Sequence, residues 1–283
     1  MDSGVSAILL DAGGVLVFPS EEVLLPSLAA AGVPLGIANL ERAHYHAMMV
    51  QDLAAAPPAP GTWWREYLVS FIAACGVPEA RSRDLAAEIA AMATDHSWAN
   101  VGSGAVSGLQ ALAALGLPMG IVSNSDGTVE AELRRLGLCH APDGQHGSQH
   151  GSQHDGQHDG QHGGQHDGQH DGQHGAQQWG APQEPAGVPV GVVVDSAVAG
   201  VAKPDPAIFR IALDALGVPP SRTVLHVGDS LRFDVAGALA AGLQPVHLDP
   251  YGFCPAPDGH PHIRALAELA GMLHGPGPIG LRR

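Results

Sequence analysis

Positive charge is scarce in this sequence. Among 283 residues there are 13 lysines and arginines against 28 aspartates and glutamates, a formal net charge of −15. A basic footprint able to neutralise a phosphate backbone is missing, so nucleic acid is excluded as the default partner. Lysine occurs once, as Lys203, beside twelve arginines. Where composition favours arginine so strongly, a retained ammonium is a candidate for a task the planar guanidinium does not perform. Cysteine is thin as well: Cys75, Cys139 and Cys254 lie far apart. An odd count without a Cys-x-x-Cys pair argues against a disulfide framework and for a reducing, cytoplasmic setting. No run of 18 apolar residues occurs, so no spanning helix and no membrane partner are expected. The first twenty residues lack lysine and arginine, and the apolar run Val5 to Leu10 meets Asp11 at once, which is not a secretory leader.

Hydrophobic residues make up 45% of the chain, enough for a real core. Their pattern changes along the sequence. Ser6 to Leu10 reads as a buried strand ending in the turn Asp11-Ala12-Gly13-Gly14. From 21 to 98 the pattern is helical, with helices expected over Glu21–Ala31, Leu35–Ala56, Trp63–Cys75 and Glu79–Met92. Pro26 stands against the first of these. Beyond Gly104, helix and strand alternate, with strands expected at Pro118–Val122, Val190–Val194, Thr223–Val227 and Gln244–Leu248. Between them fall helices at Thr128–Leu136, Pro204–Leu216 and Leu231–Ala241, and a terminal helix at His262–Met272. Such alternation predicts an α/β fold: a doubly wound, mostly parallel sheet with an inserted helical cap. The expected division is a core of residues 1–18 and 100–283 and a cap of residues 19–99.

The alternation is interrupted by a four-residue repeat from Asp143 to Gly175, with histidines at 146, 150, 154, 158, 162, 166, 170 and 174. It contains no apolar residue, so residues 141–188 read as a disordered insertion. Its imidazoles can take up Zn, Ni or Cu adventitiously.

In a doubly wound sheet, ligands bind beyond the carboxyl ends of the strands. Asp11, Ser123, Asn124 and Asp229 fall at or near such ends, and Lys203 just precedes an expected helix. The stretches ILLDAGGVL (8–16), IVSNSDG (121–127), VAKPDPAIF (201–209) and VLHVGDSLRFDVAGALAAG (224–242) resemble the haloacid dehalogenase-like hydrolase superfamily, in its subfamily with a helical cap after the first strand.

The resemblance implies a Rossmann-like core and the hydrolysis of a small phosphorylated metabolite with Mg2+. It implies Asp11 as nucleophile and Asp11, Asp229 and the Gly13 carbonyl as metal ligands. The phosphate would be held by Ser123, Asn124, Lys203 and the backbone of Gly13 and Gly14, with Asp234 supporting Lys203 or the metal. These roles suit the residue types: a carboxylate can attack phosphorus, hard oxygens suit Mg2+, and a compact ammonium neutralises phosphate charge. One position departs from the family. Its phosphatases usually carry a second aspartate two residues after the nucleophile, as general acid and base, and here that place is Gly13. His44, His46, Asp52 and Asp95 are candidates to replace it, each weighed against an ordinary structural role. The gap keeps other readings open. They are a dehalogenase, which needs no acid but carries an aromatic at this place and dispenses with Mg2+, a mutase or other transferase, and a binding protein of low activity. Trp63, Trp64, Tyr67 and Trp98 are expected to pack the cap more than to line a pocket.

Overall fold

The structure, a computed structural model, describes residues 4–54, 62–92, 97–141 and 187–274. The histidine repeat and Asp95 lie outside them.

Strand β1 (Ala7–Leu10) is the residue run AILL, with all four side chains fully buried. A continuous apolar strand of this kind belongs inside a sheet covered on both faces. Ile8 and Leu10 point into one apolar cluster and Ala7 and Leu9 into another, as the two-residue strand period requires. Strand β2 (Val17–Phe18) leads to helices α1 (Glu21–Ala30), α2 (Ile37–Leu53), α3 (Trp63–Ala74) and α4 (Glu79–Ala91). These helices share a separate apolar cluster built on Leu28, Tyr67, Leu68, Phe71 and Ile72. Pro26 is accommodated within α1. Strand β3 (Asn100–Val101) pairs antiparallel with β2 and closes this helical cap at its base.

The chain then alternates: α5 (Ala105–Ala113), β4 (Met119–Ser123), α6 (Val129–Arg135), and the short parallel pair β5 (Cys139–His140) and β6 (Val188–Pro189). Next come β7 (Val192–Asp195), the single turn α7 (Ser196–Ala199) and α8 (Pro206–Leu216). Strand β8 (Val224–Gly228) leads into a π-helical turn, Leu231–Val235, that continues as α9 (Ala236–Ala240). Strands β9 (Gln244–Leu248) and β10 (His262–Ile263) and helix α10 (Leu266–His274) complete the order. Six strands form one parallel sheet, β10-β9-β8-β1-β4-β7, in which β1 lies between β4 and β8. The crossovers run to opposite sides of β1, so the ends of β1, β4 and β8 meet at a topological switch point. Among the described residues no helix is long and apolar enough to cross a membrane.

Two expectations need correction. Helix α8 begins at Pro206, not Pro204, because the Asp205 carboxylate accepts the Ala207 N–H at 2.9 Å and sets the N-cap there. His262 belongs to a strand and not to the terminal helix. Its residue pairs with His247 of β9, and the helix starts four residues later.

Candidate functional site

Asp11 follows β1 directly, and its Oδ1 accepts the Ala12 N–H at 2.7 Å. The turn after it is wound tightly: the Ala12 carbonyl takes N–H bonds from Leu16 (2.8 Å) and Val17 (3.0 Å). Gly14 has φ of 71°, and a β-carbon there would collide with the Asp229 carboxylate and the His44 ring. Only glycine lets the main chain pass so close to both. Gly13 faces Trp98, whose ring would lie 3.2 Å from a β-carbon at position 13. The indole thus fills the space that a side chain at 13 would occupy.

Lys203 is 3% exposed, and its Nζ stands 2.6 Å from Asp11 Oδ2 and 2.7 Å from Asp234 Oδ1. Asp234 Oδ1 also accepts from His226 Nε2 at 2.8 Å, and Oδ2 accepts the Ser230 N–H at 3.1 Å. Asn124 clamps the Lys203 peptide from both sides: its Oδ1 accepts the Lys203 N–H (2.8 Å) and its Nδ2 donates to the Lys203 carbonyl (3.0 Å). Both ends of that amide are engaged in positioning the lysine. Ser123 ends β4 and is buried.

Burial pushes the Asp11 carboxyl up to about 7; Lys203 opposes the rise, and Asp234 and Asp229 add to it. Burial would raise Asp234 too, but the Lys203 ammonium and the His226 imidazole hold it well below the usual carboxylate range. Lys203 lies above the ordinary lysine value, because Asp11 and Asp234 outweigh the burial that disfavours its charge. Burial lowers His226, so the ring is a neutral donor to Asp234.

The cap reaches into this site along one face of α2. Glu41 accepts the N–H and the hydroxyl of Ser103, each at 2.6 Å. His44 Nε2 lies 2.6 Å from Asp229 Oδ2, and its Nδ1 lies 2.7 Å from the Tyr67 hydroxyl. Burial holds Tyr67 well above its ordinary value, so the phenol keeps its proton. The Asp229 carboxylate takes the Nε2–H, and the Tyr67 hydroxyl donates to Nδ1 of the neutral ring or accepts from Nδ1–H of the imidazolium. Tyr45 donates its hydroxyl to the Gly14 carbonyl at 2.6 Å. Asp52 caps the π-helical turn, accepting from Ser230 Oγ (2.9 Å), Leu231 N (2.7 Å) and Arg232 N (3.1 Å). Burial raises Asp52 despite these donors. His44 and Asp52, weighed as ordinary helix residues, are therefore in contact with the site, whereas the His46 ring packs on Phe253 outside it. The signal was available in the spacing: Glu41, His44, Tyr45 and Asp52 recur at intervals of a helical face. Of the aromatics, Tyr67 is fully buried with Trp63 and Trp64 stacked on it, which is packing. Trp98 packs edge-on against His44 as well as facing Gly13.

Asp11, Asp229 and Asp234 each bring a carboxylate oxygen within 4.8 Å of the others. Three buried acids facing one ammonium leave negative charge uncompensated, and hard oxygen donors fit a small divalent cation. Asp234 already carries three partners, Lys203, His226 and the Ser230 N–H, whereas Asp11 meets Ala12 N–H and Lys203 and Asp229 meets His44 through one oxygen only, so Asp229 with Asp11 has the more available donors.

A parallel sheet that gathers carboxylates at its switch point, beneath a helical insertion after the first strand, defines a capped Rossmann-like class. The chain carries the fold of the haloacid dehalogenase-like hydrolases, and residues 174–242 match the model of that family. Residues of this chain are 42% identical over 74 positions to phosphoserine phosphatase of Thermus thermophilus, covering 26% of this chain and 29% of that protein. They are 37% identical over 79 positions to phospholysine phosphohistidine inorganic pyrophosphate phosphatase of Rattus norvegicus, with the same two coverages. The chain thus matches under a third of the length of these relatives. Among solved structures, a phosphatase of the superfamily from Thermococcus onnurineus aligns over 96% of this chain and 99% of its own, with 20% identity and a TM-score of 0.50. A superfamily hydrolase from Bacillus subtilis, solved with bound magnesium, aligns over the same shares with 16% identity and a TM-score of 0.53. At such identities these two likenesses concern the fold.

Proposed function

We propose that the protein hydrolyses a small phosphate monoester with Mg2+, through a phosphoryl group carried on Asp11. The observation that carries this reading is the Lys203 ammonium 2.6 Å from Asp11 Oδ2 within the cluster of three buried carboxylates. Asp11 attacks phosphorus, the bond from phosphorus to the ester oxygen breaks, and the leaving alkoxide takes up a proton. Water then attacks the phosphoryl group, the bond to Asp11 breaks, and the carboxylate is restored. Lys203 neutralises charge on Asp11 and on the phosphate oxygens, and Asp234 and Asn124 hold it in place. Ser123 and the backbone N–H groups of the Gly13-Gly14 turn bind phosphate oxygens. Mg2+ held by Asp11, Asp229 and the Gly13 carbonyl supplies charge stabilisation when bound.

Gly13 offers no proton. His44 is the group we assign to that need: it enters from the cap, is 1% exposed and sets Nε2 at the carboxylate cluster, where its imidazolium form would pass the Nε2 proton to the leaving oxygen and return to the neutral ring. Trp98, filling the space beside Gly13, gives the dehalogenase reading its one observation, an aromatic ring at the expected place. Both phosphatase relatives and the metal-type carboxylate pair favour phosphate. The assignment keeps the core at 1–18 and 100–283, the cap at 19–99 and a cytoplasmic setting suited to three unpaired thiols.

The test is a panel of phosphate esters and of 2-haloacids, assayed with Mg2+ and with chelator, beside Asp11→Asn. Phosphate release that needs both Mg2+ and Asp11 supports the proposal. Release that Asp11→Asn leaves intact, or halide release without metal, overturns it.

A further inference from the structure

A second cluster lies behind the first, built from residue types the phosphate chemistry does not use. After β9 the chain leaves the sheet at Asp249, turns back and returns as β10, whose His262 is in register with His247. His260 precedes His262 by two residues and so falls on the same side. The three imidazoles stack on one another, with ring centroids 5.2 Å apart for His247 and His260, 5.1 Å for His247 and His262, and 4.5 Å for His260 and His262. The intervening loop brings in Cys254. It is held there by Asp249, whose carboxylate accepts the N–H groups of Phe253 (2.9 Å) and Cys254 (3.0 Å).

We propose that His247, Cys254, His260 and His262 form a thiolate–imidazole site for a zinc-class divalent cation. One ligating atom from each lies within 4.8 Å of the others. His247 Nδ1 and His260 Nε2 are 3.0 Å apart, and Cys254 Sγ is 3.7 Å from His260 Nε2. Edges of a tetrahedral zinc site with nitrogen and sulfur ligands are about 3.3 to 3.6 Å, from the usual bond lengths. The tautomer also fits. His247 Nε2 donates to the Asp229 carbonyl at 3.1 Å, which leaves Nδ1 as a lone pair aimed at the cluster. His262 Nε2 is shielded from solvent and has no hydrogen-bond partner, an orphan that a metal would satisfy. Burial raises the Cys254 thiol above its usual value, and the Ala256 N–H pointing at Sγ at 3.4 Å opposes the rise. Burial and the neighbouring imidazoles lower His260 to about 4, and burial lowers His262. On binding, the Cys254 thiol gives its proton to solvent and the ion takes the sulfur lone pair. Nitrogen and sulfur donors separate this site from the all-oxygen pair at Asp11 and Asp229. Through His247, a bound ion would anchor the backbone of Asp229.

The histidine repeat also takes up metal in principle, but it holds no cysteine. The test therefore reads sulfur. Metal-free full-length protein is titrated with Co2+, and the thiolate-to-cobalt charge-transfer band is followed. The band should saturate at one equivalent of the ion responsible for it, and should vanish in Cys254→Ser and fall in His260→Ala. In the unaltered chain, excess Zn2+ should slow alkylation of Cys254 by at least about tenfold, mapped by mass spectrometry. The alkylation measurement decides even where Cys254→Ser fails to fold. A missing thiolate band, the same band in a folded Cys254→Ser, or Cys254 alkylation indifferent to Zn2+ overturns the site. None of these readouts depends on turnover, so failure of the phosphatase reading leaves this proposal standing, and the reverse.

Discussion

Lys203→Met removes the one cation that two buried carboxylates share. The lysine is 3% exposed and lies 2.6 Å from Asp11 and 2.7 Å from Asp234, so methionine fills its volume and leaves the acids facing each other. Breaking a buried pair from one side costs about 3–5 kcal/mol when the remaining charge has no escape. Here Asp11 has one. Its carboxyl is already raised to about 7 by burial, with Lys203 among the influences holding it down. Without Lys203 it rises further and holds its proton from above neutral pH downward, whereas Asp234 remains ionised beside His226 and the Ser230 N–H. Protonated Asp11 is neutral and removes the repulsion. A raised carboxyl binds protons more tightly in the folded state, so its contribution to stability grows as pH falls and is lost as pH rises through its folded pKa. The variant should therefore lose about 3–5 kcal/mol relative to the parent at pH 8.5, and at least about 1 kcal/mol less than that at pH 5.5. Urea unfolding of the metal-free proteins, followed by circular dichroism at both pH values, measures the difference. A loss below about 1 kcal/mol at pH 8.5, or a loss that deepens at pH 5.5, would refute the account of a shared buried charge.

Three further perturbations address the turn and the cap. Gly14→Ala forces a side chain onto a positive φ and into the contact of Asp229 with His44. It should cost about 1–3 kcal/mol, and an unchanged melting temperature would contradict the close approach. Asp52→Ala strips the acceptor from Ser230, Leu231 and Arg232. It should destabilise the π-helical turn by about 0.5–2 kcal/mol and speed hydrogen exchange of the Leu231 and Arg232 amides; exchange at the parental rate would count against the cap-to-core bond. His44→Asn should lower kcat for poor leaving groups by about 10²–10⁴ and spare esters of acidic phenols, which depart without a proton. Equal losses for both substrate types would remove His44 from proton delivery and leave it a positioning residue for Asp229.

The parts legible in the sequence were those whose chemistry is local. The run AILL ending at Asp11 declares a buried strand and what stands at its mouth, and the solitary lysine stands out as a candidate for a task that arginine does not perform. Residues whose partners are remote in sequence were harder to read. His44 meets Asp229 from 185 positions away, and nothing in the helix around it names that partner. Its periodic alignment with Glu41, Tyr45 and Asp52 was visible, but a polar helical face reads as a solvated one until a second surface is known to lie against it. His262 was misplaced for a similar reason. A two-residue strand carries too little pattern to outweigh the helix that follows it, and only pairing with β9 identifies it. Gly13 was read as a missing side chain; in the folded chain Trp98 fills that space.

The solitary lysine has a practical corollary. Because the only side-chain amine is 3% exposed within the carboxylate cluster, a reagent that acylates amines reaches its single side-chain target only through the site itself. Each Lys203 that becomes labelled records an opening of the site or of the fold, and a ligand that fills the site should slow the labelling, so this chain carries its own chemical clock for access to its centre of chemistry.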